Sequence, residues 1–136
     1  MEITEKERLM LIRKKEGICE LTLEILDMVN DPRNSLEIKK KMTTILSELN
    51  AIASYSDSKN YDLNAITDLA GNIFNLLTDY PAKVIEDIIP NYWKELISRR
   101  IEFFCNAANS ISFNFTKKGF KIILPKNLNL GVITNK

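Results

Sequence analysis

Apolar residues recur at helical spacing along most of the chain and alternate with polar ones only near its end. Thr4 and Glu7 stand at the separation of a capping box, in which each side chain satisfies a backbone N–H left free by the first helical turn. A first helix is therefore predicted over residues 5–30, stopped by the proline and turn formers of "NDPRNS". Along it Leu11, Ile18, Leu21, Ile25 and Met28 form one seam, which Ile12, Cys19, Leu26 and Val29 widen. So broad an apolar surface predicts a central helix with neighbours on two sides. Gly17 costs about 1 kcal/mol there relative to alanine and marks a candidate bend.

A second helix, over residues 35–54, carries Met42, Ile45, Leu46, Leu49, Ile52 and Ala53 in the i, i+3, i+4, i+7 pattern. The polar connection "SYSDSKNYD" is longer than most helix-to-helix loops and is a candidate contact segment. A third helix is predicted over 63–78, burying Ile66, Leu69, Ala70, Ile73, Phe74 and Leu77. Pro81 suits the first turn of a short fourth helix over 81–89, and Pro90 separates it from a fifth over 91–109 with the stripe Trp93, Ile97, Ile101, Phe104 and Ala108. Alternation then takes over. Ile111, Phe113 and Phe115 lead to "KKG", and Phe120, Ile122 and Leu124 follow, which predicts a hairpin of strands 111–115 and 120–124 with Gly119 as the left-handed residue of a bulged turn. The tail over 126–136 has no periodicity. The fold class is thus mainly α, a single domain of about five helices with a C-terminal β-hairpin.

A length of 136 residues is enough for one domain with its own core. The amino-terminal segment "MEITEKERLMLIRKKEG" is charged every few residues, and no run of 18 apolar residues occurs, so a cytoplasmic protein without membrane association is expected. Cys19 and Cys105, far apart among apolar neighbours, read as reduced, buried small hydrophobes. The net charge of +1 conceals a division: residues 49–90 carry two basic and six acidic groups, whereas residues 91–136 carry eight basic and two acidic.

The residue inventory excludes most catalytic chemistry. No histidine is present, which removes triads, histidine-based ribonucleases and histidine-bearing zinc sites. Two isolated cysteines make no structural zinc site, and the four glycines build no phosphate-cradling loop. No acidic pair stands in an apolar setting that would separate two carboxyl pKa values. No catalytic residue, metal or cofactor is therefore expected, and the protein is read as a non-enzyme.

One constellation remains. Glu16, Glu20, Glu24, Asp27 and Asp31 follow one another at spacings of 4, 4, 3 and 4, within an arc of roughly 80° on the first helix or just beyond it. Like charges at i, i+4 repel, and acids at a helix C-terminus oppose its dipole, so helix energetics did not select this ridge. A solvated acidic face is the plainest explanation, pairing with the basic C-terminal third through Arg99 or Arg100 is another, and a site for a cationic partner is the third. Asp57 and Asp62, at the polar connection, extend the candidate site. The leading expectation is a protein-binding module of the immunity-protein or antitoxin type, in which an acidic surface neutralises a basic, nuclease-like toxin. The 46 Lys, Asn and Ile residues fit an A/T-rich bacterial or phage gene. The alternatives are a small nucleic-acid-binding regulator and a structural subunit of a larger assembly. Lys117, Lys118 and Lys121 among the hairpin aromatics would supply the nucleic-acid or strand-addition site, although alternation points those aromatics at the helices. The pattern specifies no oligomeric state.

Overall fold

The capping box forms as the sequence requires: the Thr4 hydroxyl accepts from Glu7 N at 3.1 Å and the Glu7 carboxylate accepts from Thr4 N at 3.2 Å. The computed structural model describes residues 3–56, 60–79, 91, 93–116 and 119–125. From this cap α1 runs unbroken through Gly17 over Glu5–Met28. A 3₁₀ turn at Pro32–Asn34 leads into α2, Ser35–Ala53, and α3 spans Tyr61–Asp79. A π-helical turn at Trp93–Ile97 opens into α4, Ser98–Asn109, and strands β1 (Ser112–Thr116) and β2 (Gly119–Ile123) follow. The described part is mainly helical, with four α-helices and one antiparallel hairpin. The predicted helix over 81–89, the tail over 126–136 and the hairpin tip at Lys117 and Lys118 lie outside the described residues.

Each helix packs chiefly on two others: α1 on α2 and α4, and α3 on α2 and α4, with β2 also lying on α3. The four helices thus close a ring around one core. Leu11, Ile18 and Ile25 from α1 meet Ile38, Met42, Ile45, Leu49 and Ile52 from α2, Leu63, Ile66, Leu69, Ile73 and Leu77 from α3, and Ile101 and Phe104 from α4. The breadth of the α1 apolar surface is explained by its two neighbours.

Polar groups fasten the ring where helix ends would otherwise leave unpaired carbonyls. No glycine closes α1; the indole N–H of Trp93, 2% exposed, donates to Val29 O at 2.7 Å, and the Asn34 amide donates to Met28 O at 2.9 Å. That use of Asn34 explains why it makes no side-chain cap on α2. Farther along α1, buried Thr22 donates to Cys19 O at 2.7 Å and accepts from the Asn109 amide at 3.2 Å, tying α1 to the end of α4. The last helix departs from the continuous α-helix expected over 91–109. Its first turn is wound as π, and there Ser98 donates to Lys94 O at 2.9 Å. Trp93 and Ile97 in this turn both face the core.

In the hairpin Thr116 pairs with Gly119 and Ser112 with Ile123. Gly119 has φ +151°, a region that side chains disfavour but that is not the left-handed helical conformation expected for it. Phe113 opposes Ile122 and Phe115 opposes Phe120, so the aromatics share the face that packs on the helices. Their rings touch one another, with centroids 5.2 Å apart for Phe113 and Phe115 and 5.6 Å for Phe113 and Phe120. The Arg8 guanidinium of α1 covers Phe115 at 4.8 Å from the ring centre, while its buried Nε has no hydrogen-bond partner.

Candidate protein-binding surface

Burial of Leu11, Ile18, Thr22, Ile25 and Val29 turns the opposite side of α1 to solvent. Glu16, Glu20, Glu24 and Asp27 stand there, all exposed, and Asp31 follows at the turn. The five acids are not equivalent. Glu24 accepts from the Lys41 ammonium of α2 at 2.8 Å, and that hydrogen bond, outweighing the opposite effect of desolvation, shifts the Lys41 pKa upward. Asp31 caps the 3₁₀ turn by accepting from Arg33 N at 2.9 Å, and its carboxylate also binds the Arg33 guanidinium at 2.8 Å. These bonds, the side-chain ones first, hold its pKa below the ordinary value. Glu16, Glu20 and Asp27 make no ion pair among the described residues. Among the described residues the internal partners are therefore Lys41 and Arg33, and neither Arg99 nor Arg100 pairs with the ridge. Arg99 instead lines a separate cleft of about 460 Å³ with Asn30, Lys94, Glu95 and Glu102.

Leu23 completes this surface and escaped the sequence reading. It lies three residues after Glu20, seven after Glu16 and four before Asp27, and is 55% exposed. The periodicity of α1 offered a signal, since Leu23 falls outside the core seam. A leucine left in water between Glu20 and Asp27, with Glu16 farther along the same stripe, has the form of an apolar contact point flanked by acids.

Asp62 has a structural bond. Its carboxylate accepts from Leu124 N at 2.9 Å, while the Asn60 amide oxygen accepts from Ile122 N at 3.1 Å and the amide nitrogen donates to Phe120 O at 3.4 Å and to the Ser56 hydroxyl. Because Phe113 and Ile122 form a non-hydrogen-bonded pair, the Ile122 peptide points away from β1, and Asn60 satisfies it as a third strand would. The outer edge of β2 is thus closed from within. Lys121 is exposed on this strand; Asp57, Lys117 and Lys118 lie outside the described residues. Within the hairpin, Phe113 and Phe115 are half-buried and stacked on each other and Phe120 is buried, so none of these three rings lies fully open to a base.

The cysteines are separate thiols, Cys105 buried and Cys19 half-buried with its Sγ 3.6 Å from Asn109 O. Burial pushes the Cys105 pKa up to about 12 and also raises that of Cys19. At pH 8 a disulfide reagent such as Ellman's should modify native protein slowly and at Cys19 alone, and both thiols after denaturation; rapid reaction at Cys105 would contradict the packing of α4. An unfolded thiol with the ordinary value of 9.0 loses its proton before folded Cys105 does, so this group's contribution to stability is complete below pH 9 and declines from there toward pH 12.

Among the described residues no group of three or more cysteine, aspartate or glutamate side chains is placed to hold a metal ion, and no helix is long and apolar enough to cross a membrane. Fold and surface together define a helical ring with a C-terminal hairpin, one helix of which presents a charged outer face. Comparison with protein-family models, curated proteins and solved structures finds no match for the chain.

Proposed function

We propose that the protein is a non-catalytic binding module that receives a cationic protein surface on the outer face of α1, in its most concrete form an inhibitor of a basic, nuclease-like toxin. The observation that supports this reading is the exposed Leu23 set among Glu16, Glu20 and Asp27, three carboxylates without an ion-pair partner among the described residues. Unpaired carboxylates raise the encounter rate with a basic surface, and the leucine supplies a desolvated contact once the two have met. Asp31 and Glu24 hold the neighbouring turn and α2 in place and serve the surface indirectly.

Replacing Glu20 and Asp27 together by lysine tests the reading while leaving the Glu24–Lys41 pair intact. Helix content should be unchanged and thermal stability equal to wild type or slightly higher, because neither side chain has an ion-pair partner to lose and the change relieves like-charge repulsion along α1. A protein captured from the host by wild type and not by the double variant should be basic and should bind with an association rate that falls steeply as salt rises. Nuclease activity of that protein should drop on adding wild type. A partner that is acidic, or that binds both forms equally, would overturn the proposal.

A further inference from the structure

The outward side of α1 carries a pattern beyond its acids. Lys6, Leu9, Arg13, Glu16, Glu20, Leu23 and Asp27 are all exposed and follow one another at spacings of 3, 4, 3, 4, 3 and 4. That is the spacing of a coiled-coil seam, set on the face turned away from the core. The seam has two unlike halves. Its first half is cationic, with Lys6 and Arg13 flanking Leu9, which is 49% exposed; its second half is anionic, with Glu20 and Asp27 flanking Leu23. Neither Lys6 nor Arg13 makes an ion pair among the described residues, and the Glu7 carboxylate between them is engaged in the amino-terminal cap. Beside Leu9 an apolar cleft of about 550 Å³ opens, lined by Lys6, Glu7, Leu9, Met10, Arg13 and Tyr55. One end of the helix offers a hollow with a basic rim, and the other offers a protruding leucine with an acidic one.

We infer that this seam binds a second copy of the same chain, α1 against α1 and antiparallel, about a twofold axis between Glu16 and Gly17. That axis sets Arg13 opposite Glu20 of the second copy and Lys6 opposite its Asp27, and brings Leu9 within one residue of the level of its Leu23, each contact occurring twice. The arrangement is isologous and closes at two subunits. Its one unfavourable contact brings Glu16 against Glu16 on the axis. A 24-residue helix is about 36 Å long, and a single seam of that length buries less than the roughly 1,200 Å² of a stable interface. The dimer is accordingly weak and exchanging. The inference does not depend on the function proposed above, since it draws on the basic half of the seam, but the two share Glu20, Leu23 and Asp27. Self-association and partner binding are therefore mutually exclusive.

Sedimentation equilibrium of the purified protein, alone and at concentrations from about 10 μM to 1 mM, where weak interfaces of this size associate, provides the test. Wild type should show a reversible monomer–dimer equilibrium with a dissociation constant in the tens to hundreds of micromolar, weakened by salt. Arg13→Glu and Glu20→Arg should each weaken it at least tenfold, a 1:1 mixture of the two should recover dimer, and so should the double variant. Glu16→Gln should tighten it. Recovery in the mixture is the distinguishing result, because only reciprocal contact between positions 13 and 20 produces it. Wild type that stays monomeric at 1 mM, dimers indifferent to Arg13→Glu, or single variants that fail to rescue each other would each overturn the inference.

Discussion

Replacing Trp93 with alanine should destabilise the protein by about 3–5 kcal/mol, the largest effect expected of any single substitution here. The side chain is 2% exposed, so its removal leaves a cavity in the core, and the loss of its N–H leaves Val29 O, at the unsatisfied end of α1, without a donor. Against a total stability of about 5–15 kcal/mol this is a large fraction, corresponding to a fall of roughly 10–17 °C in melting temperature for a chain of this length. Trp93→Phe separates the two contributions, since it restores most of the ring and none of the hydrogen bond; it should lie between alanine and wild type. Circular dichroism at 222 nm follows both variants. Trp93 is the chain's one tryptophan, so wild-type emission should be blue-shifted and should move to the red on unfolding. Native emission already at the unfolded wavelength would contradict the buried placement.

The second large effect is expected at Asn60. Its side chain, in a residue 4% exposed, replaces a neighbouring strand for Ile122 N and Phe120 O. Asn60→Ala removes both partners at once, and stranding a buried donor costs about 1–3 kcal/mol, so a destabilisation of about 2–3 kcal/mol is expected. The loss has a local signature. Hydrogen exchange at the Ile122 amide should accelerate by more than the change in global stability accounts for, because the outer edge of β2 opens first. If Ile122 exchanges no faster than the α2 core amides in this variant, Asn60 is not the group that protects it.

The four described helices and the hairpin were legible because burial imposes period. The stripe Trp93, Ile97, Ile101, Phe104 and Ala108 is buried throughout, and the hairpin register follows the alternation of its aromatics. What did not show was work done by polar side chains across long separations. Asp62 carried no local mark distinguishing a bond to Leu124 N from a solvated acid, and Asn60 looked like one more loop residue. Nothing in the pattern announced the π turn at Trp93–Ile97, since adding one residue to a helical turn shifts an apolar stripe without breaking it. The acidic ridge was visible as composition and spacing, yet which of its members were already paired depended on where α2 brought Lys41. Leu23 was overlooked because a leucine in a helix is read as core by default.

The closure of the helical ring has a consequence for how the chain is made. α1, at the amino-terminal side, lies against α4, and its last carbonyl waits for Trp93, 64 residues downstream. A nascent chain that has emerged only as far as α3 therefore carries α1 and α3 with the sides meant for α4 uncovered. Folding during synthesis stops short of completion until the fourth helix is released. Over that interval the uncovered apolar sides leave the growing polypeptide open to association with other chains.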